Sequence, residues 1–371
     1  MSKISNSLKS IGLVVSATVG AGIFALPYVF YRVGWATSFF YLIGLSFLVA
    51  SAHFIYWRVL KKLETKERLL GLVRRYLGRG SFELAFFAII GGLILSLVAY
   101  LILGSHFLSL VFPSLGMWTG VIIFWVLSSL PLFLNPRRFV TAELLGGVAV
   151  IGLVAFIFSS AWPIDGALSL KAFDYKNLIL PFGVILFALA GWTAVEPIFE
   201  SEKKSGGENR GRFRDFSVGA LGSALLYLMF VLAIFASAEK IAPDTISGLG
   251  NWERWKLALL GIFGLFALWT SYLPIATEVK NLVEKDLKWK KSWGEALVIG
   301  APIFLVAAGL NNFLSVVGLV GGVFLALQYL FIVMVGQKVL KFGFWGTVLA
   351  VGLDVVFASA AVYQVVETRL W

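Results

Sequence analysis

The chain has no cysteine and only two histidines, His53 and His106, in 371 residues. Without cysteine there are no disulfides, no thiol catalysis, no Cys-ligated zinc and no iron–sulfur centre. Two histidines do not suffice for a multi-histidine metal site. Charge is scarce as well: 14% of residues are Asp, Glu, Lys or Arg, where a globular domain carries about one-quarter. Long polar connections are also missing, and no loop approaches the roughly 50 residues of a small soluble domain. What the chain has instead is 59% hydrophobic residues and a net charge of +11. In a soluble protein that excess would point to nucleic acid. In a chain this apolar it reads as a membrane-topology signal, with no nucleic-acid partner.

A helix needs about 20 apolar residues to cross a bilayer. Runs of that kind predict eleven spans, at 7–31, 34–57, 82–111, 117–134, 141–162, 178–199, 216–238, 256–281, 295–309, 312–336 and 343–367. The expected fold is therefore an all-α polytopic membrane domain over residues 1–371. The N-terminal stretch enters the first run with no small-residue cleavage site, as a retained span rather than a signal peptide. With that terminus in the cytoplasm, 24 of the 31 Lys and Arg residues face inside, as the positive-inside rule requires. An odd number of spans then places the C-terminus outside a cell membrane. Residues 61–80 carry Leu63, Leu69, Leu70, Leu72, Val73 and Leu77 among basic residues, a pattern that predicts an amphipathic helix on the cytoplasmic leaflet. Residues 239–255 form a Pro- and Gly-containing external loop suited to act as a lid.

Two spans are poor material for unbroken helices. In the first, Gly20, Gly22 and Pro27 fall within SATVGAGIFALP (16–27); in the sixth, Gly191 and Pro197 fall near or within LFALAGWTAVEP (186–197). Aligning the two prolines sets Gly20-Ala21-Gly22 opposite Ala190-Gly191-Trp192. These segments open two sets of five spans, about 7–162 and 178–336, and five is odd, so the second set is inverted. Matching interrupted helices in two halves point to a transporter binding site, and close helix packing through small residues is the alternative reading of the first-span glycines taken alone. A break exposes N–H groups at the positive end of one half-helix and carbonyls on the other. The first suit a carboxylate and the second an ammonium group or a cation, so the site suits an α-amino acid.

GAGIFALPYVF (20–30) resembles the first-helix signature of amino acid permeases in the amino acid–polyamine–organocation superfamily. It is most similar to the amino acid/auxin permease branch and to the bacterial aromatic amino acid permeases. FALAGWTAVEPIFE (187–200) is similar to their sixth helix. The resemblance implies a LeuT-type five-plus-five inverted repeat, with a peripheral eleventh helix at about 343–367. It also implies a cation-coupled symporter of neutral or aromatic amino acids that works by alternating access. The substrate carboxylate would meet Gly20, Ala21 and Gly22, so a bulky residue at Gly22 is expected to block it. The amine would meet carbonyls around Ala17, Thr18, Ala188 and Ala190, with Trp192, Ser96 and Tyr100 lining the pocket. Ala267-Leu268-Trp269-Thr270-Ser271 resembles the sodium site of such transporters, implying Na⁺ held by Ala267, Thr270 and Ser271 with the Ser16 and Val19 carbonyls. Thr270 and Ser271 bonding back to their own helix is the alternative reading.

Ionisable groups at membrane depth are functional candidates. Glu196, beside Pro197, is the candidate for coupling or gating. His53, His106 and Asp354 fit structural roles, and Glu83, Glu143, Glu278 and Glu295 fit ion pairs near cytoplasmic ends. No Ser-His-Asp set, phosphate loop or metal-ligating cluster stands out, so an enzyme is not expected, nor a cofactor beyond Na⁺ or H⁺ as coupling ion. The expected partners are a small amino acid and the lipid bilayer, with no obligate protein partner. A proton-coupled permease and a non-transporting sensor of the same fold are the alternatives.

Overall fold

A computed structural model describes residues 2–65, 67–133, 139–160, 171–174, 177–205 and 212–368. Among these residues the secondary structure is helical throughout, with no strand. All eleven predicted spans are helices. We label them α1 (Ser2–Thr18 continuing as Ala21–Val33), α2 (Trp35–Leu63), α3 (Arg79–Val111), α4 (Met117–Ser129) and α5 (Phe139–Ser160). Then follow α6 (Leu180–Leu189 continuing as Val195–Ser205), α7 (Arg212–Ser237), α8 (Arg254–Asn281), α9 (Lys291–Ala307), α10 (Phe313–Val339) and α11 (Phe344–Thr368). Seven helices are long and apolar enough to cross a membrane, eight when the two pieces of α1 are taken as one span. The other three have shorter described apolar stretches, Met117–Leu132, Val148–Ser160 and Lys291–Ala307.

The most buried helix is α3, packed between α8, α4 and α10, with 83% of its apolar window inside the protein. By contrast α11 leans mainly on α10 and buries 28% of its window, which makes it the peripheral helix. Large apolar side chains such as Phe40, Phe47, Trp118, Leu225 and Trp345 stand exposed. An apolar surface of that extent matches hydrocarbon rather than water.

Both predicted breaks are present. Helix α1 stops at Thr18 and restarts in a tight 3₁₀ turn at Ala21–Ala25, with a bend of 52° between its pieces. Pro27 sits in the first turn of the α-helix that follows, where its missing N–H costs nothing. Helix α6 stops at Leu189, passes through a three-residue turn at Trp192–Ala194, and continues from Val195. At the far end of α1, Gly34 turns the chain into α2 at φ +97°, and a Cβ there would run into the Ala172 carbonyl. Only glycine fits that corner.

One expectation needs correction. The amphipathic helix forms at Leu69–Leu77, but Leu69, Leu70, Leu72 and Val73 are buried against α3 and α10. Its apolar stripe faces a groove of the protein rather than the leaflet, while Arg74 and Arg75 remain exposed. Burying four branched side chains against packed helices gains dispersion contacts that loose acyl chains do not supply.

Candidate functional site

The two breaks lie against each other. A Cβ added at Gly22 would fall 2.6 Å from Ala188 Cα, and one at Gly191 would fall 2.6 Å from Thr18 Oγ1. Glycine at these points lets the two interrupted backbones touch. Gly22 is therefore a packing position, and leucine there would force α1 off α6 before it reached a ligand. Gly20 instead faces the polar side chains of α3 and α8: a Cβ there would fall 3.2 Å from the Tyr100 hydroxyl and 3.9 Å from Ser271 Oγ.

Between the breaks lies a cavity of about 100 Å³. Of the residues named from sequence, Ser16, Ala17, Thr18, Val19, Gly20, Ala21 and Gly22 line it from α1, and Ala190 and Trp192 from α6. Ser96 and Tyr100 of α3 and Thr270 and Ser271 of α8 complete that set. Ala188 and Ala267 lie behind the lining, and Glu196 stands apart from it. Among the described residues no Asp, Glu, Lys, Arg or His lines the cavity.

The polar groups around the cavity have defined partners. Ala21 and Gly22 open a helical piece with no side-chain cap and line the cavity, so the positive dipole end of that piece lies at its wall. The Tyr227 hydroxyl of α7 lies 2.9 Å from the Thr18 carbonyl and 2.5 Å from the Ala188 carbonyl, and the two share its single proton. On the other face of the α6 break, the Gly191 N–H donates to the Tyr329 hydroxyl at 3.4 Å, and that hydroxyl is 3.0 Å from His53 Nε2. Trp192 Nε1 donates to Gln328 Oε1 at 2.7 Å, and Gln328 Nε2 donates to the Ala88 carbonyl at 2.8 Å. Trp192 is thus a fixed wall. Thr270 Oγ1 and Ser271 Oγ each donate to the Ala267 carbonyl at 2.9 Å. With their protons committed to the helix, both oxygens keep lone pairs for the cavity.

Tyr227, Tyr329 and Gln328 were not among the expected residues. Gln328 carried a readable signal, an amide in the middle of an apolar span, because polar side chains at that depth bond across helices. It also follows a π-helical stretch of α10, Val320–Leu325, a distortion often found at functional sites.

Charged contacts close the two ends of the bundle. At one end Arg68, which precedes the short helix, bonds Glu196 of α6 at 3.0 Å and pairs with Glu278 of α8. The Tyr56 hydroxyl adds a bond to Glu196 at 2.7 Å. Burial alone would lower the Arg68 pKa, but Glu278 and Glu196 outweigh it and hold the guanidinium more firmly charged. Glu295 pairs with Lys280 and Lys291, Glu83 with Arg79, and Asp354 accepts from Gln337. The Glu143 side chain lies outside the described ones. At the other end the 239–253 loop folds over α1, with Thr245 Oγ1 donating to the Phe24 carbonyl at 2.5 Å. His106 Nδ1 lies 2.5 Å from Asp244 Oδ2. Burial pushes the Asp244 carboxyl up, but the His106 hydrogen bond and charge, helped by Ser247, bring it below its ordinary range.

A helical membrane bundle whose two interrupted helices cross at a small, uncharged cavity has the architecture of a LeuT-type transporter. A family described as transmembrane amino acid transporter protein matches residues 3–341, and the chain belongs to that family. No curated protein matches it in sequence. Among solved structures, MhsT in complex with L-phenylalanine is similar with a TM-score of 0.63 at 15% identity, over 97% of this chain and 98% of that one. A manganese transporter of Eremococcus coleocola, bound to an aromatic bis-isothiourea compound, is similar with a TM-score of 0.65 at 14% identity, over 96% and 86%. The inward-facing conformation of Mhp1 gives 0.56 at 13% identity, over 97% and 89%. One of these carries a metal ion, so the shared fold leaves the substrate open.

Proposed function

We propose that the protein is a Na⁺-coupled symporter of neutral or aromatic amino acids, with the substrate held where the α1 and α6 breaks cross. The observation that carries this reading is the cavity itself. Both breaks, the α3 side chains and the α8 hydroxyls meet there, and among the described residues no charged side chain lines it. A zwitterion's carboxylate finds N–H donors at Ala21 and Gly22, while its amine finds the Ala17 and Ala190 carbonyls. The Thr18 and Ala188 carbonyls already serve Tyr227, so they contribute less to the amine than expected. A neutral lining favours a neutral side chain, because a buried unpaired charge is costly. The L-phenylalanine bound to MhsT supports an aromatic member of that class.

Sodium is a hard cation that prefers oxygen ligands. Thr270 Oγ1 and Ser271 Oγ offer theirs, and the Ser16 and Val19 carbonyls share the lining. The two repeats are taken as residues 7–162 and 178–336. The concentration of basic residues places the N-terminus and the Arg68 end in the cytoplasm. Proton coupling is the second reading, favoured by one observation: a single cation, Arg68, serves both Glu196 and Glu278.

A thermal-shift screen of the twenty amino acids, with and without Na⁺, tests the assignment. A neutral or aromatic amino acid at about 100 times its Kd should stabilise the protein by about 2.7 kcal/mol, and more when Na⁺ is present. Thr270→Ala should weaken the Na⁺ enhancement while leaving the protein folded. An unchanged Na⁺ response in that variant would remove the proposed site, and stabilisation that follows pH but not Na⁺ would favour the proton.

A further inference from the structure

The Tyr227 hydroxyl stands at an unusual junction. Thr18 ends the first piece of α1 and Ala188 lies in the last turn of the first piece of α6. Both carbonyls therefore belong to helix ends without intrahelical partners. Each end is also the negative pole of its half-helix, carrying roughly half an elementary charge. The two pieces enter from opposite ends of the bundle, so two negative poles meet near its middle. Like poles at that distance repel, and carbonyls that converge there are the arrangement that unwound transporter helices offer to a cation. Here the positive partner is an O–H proton. It comes from a fully buried tyrosine on α7, a helix that packs against α1 and α2. The Thr18 side chain does not compete, because its hydroxyl donates to the Val14 carbonyl at 2.6 Å.

We propose that Tyr227 is a positioning residue that ties the two breaks together and fills the place a cation would take between them. The transporter then binds at most one coupling cation, at the α8 hydroxyls. This rests on the transport reading above and adds to it a coupling stoichiometry and a residue that sets it.

Tyr227→Phe removes one oxygen and keeps the ring. Three measurements read the consequence. In the wild type, Na⁺ activation of amino acid binding should have a Hill coefficient of one at most. In Tyr227→Phe, amino acid affinity should fall about tenfold, the equivalent of one lost buried hydrogen bond. Raising Na⁺ should recover part of that affinity, because a cation can enter between the freed carbonyls. The third readout needs no substrate. The chain has no native cysteine, so spin labels on Leu8→Cys, in the first piece of α1, and on the exposed Leu178→Cys, two residues before the first piece of α6, report the distance between those two pieces. Their distance distribution should be narrow with Tyr227 and broader with Phe.

A Hill coefficient near two in the wild type overturns the proposal. So does a Tyr227→Phe variant with unchanged affinity and unchanged label distances, or an affinity loss that high Na⁺ leaves untouched. If the wild type binds no amino acid, the transport reading fails. The label distances then decide on the tie alone: broadening retains it and no change removes it.

Discussion

At the Arg68 end, one guanidinium from the α2–α3 connection holds carboxylates of α6 and α8 together. At the opposite end α1 is held by a neutral threonine hydroxyl and by rings. There Phe24 meets Phe107 and Phe230 edge-on, with centroids 5.0 and 5.5 Å apart, and the His106–Asp244 pair fastens the loop above. The first closure joins elements that are far apart in sequence, and its link between α6 and α8 runs through one cation. The second is spread over several weak contacts. A lock that depends on one charge opens all at once when that charge is lost, whereas a distributed closure loosens by degrees. An alternating-access transporter has use for both, provided that the two ends do not open together.

The strongest response is expected at Arg68. Arg68→Ala leaves Glu196 and Glu278 partly buried without their cation, at a cost of about 3 kcal/mol, since breaking a buried pair exposes the desolvation penalty of what remains. Thermal unfolding should show that loss, and labelling of Ile198→Cys, a buried position on the same piece of α6 as Glu196, should quicken. A variant as stable and as closed as the wild type would show that the charge is not the lock. Thr245→Val is the neutral counterpart. It should cost about 1 kcal/mol, the usual worth of one hydrogen bond, and leave the Arg68 end unchanged by the same labelling assay.

Asp244→Asn should have the smallest effect at neutral pH. Because the Asp244 carboxyl is held below its ordinary range, its contribution is complete above that range and fades as pH falls through the lowered value. The wild type should therefore lose stability on acidification there, and Asp244→Asn should lack that part of the loss. Equal acid sensitivity in both proteins would place the titrating group elsewhere.

Much of the fold was legible because bilayer thickness fixes run length and because Gly-x-Gly with a nearby proline cannot make an uninterrupted helix. The same glycines were harder to rank. Both line the cavity, but Gly20 faces Tyr100 of α3 and Gly22 faces Ala188 of α6, a difference set by where α6 passes and not by either residue. The short helix at Leu69–Leu77 carries one amphipathic stripe, and that stripe fits a leaflet or a protein groove equally well. Tyr227 and Tyr329 escaped notice because aromatic residues are ordinary in membrane spans. Their function lies in what their hydroxyls reach. The partnership of Arg68 with Glu278 spans 210 positions, so charge pattern along the chain gave the acid and the base but not the pair.

The proposed route of the amino acid across the membrane is the crossing of α1 and α6. Uptake of a labelled neutral or aromatic amino acid into proteoliposomes of the purified protein tests it most directly. An inward Na⁺ gradient should drive accumulation above the external concentration, and equal Na⁺ on both sides should abolish it. No accumulation of any neutral or aromatic amino acid under either a Na⁺ or a proton gradient would contradict the account.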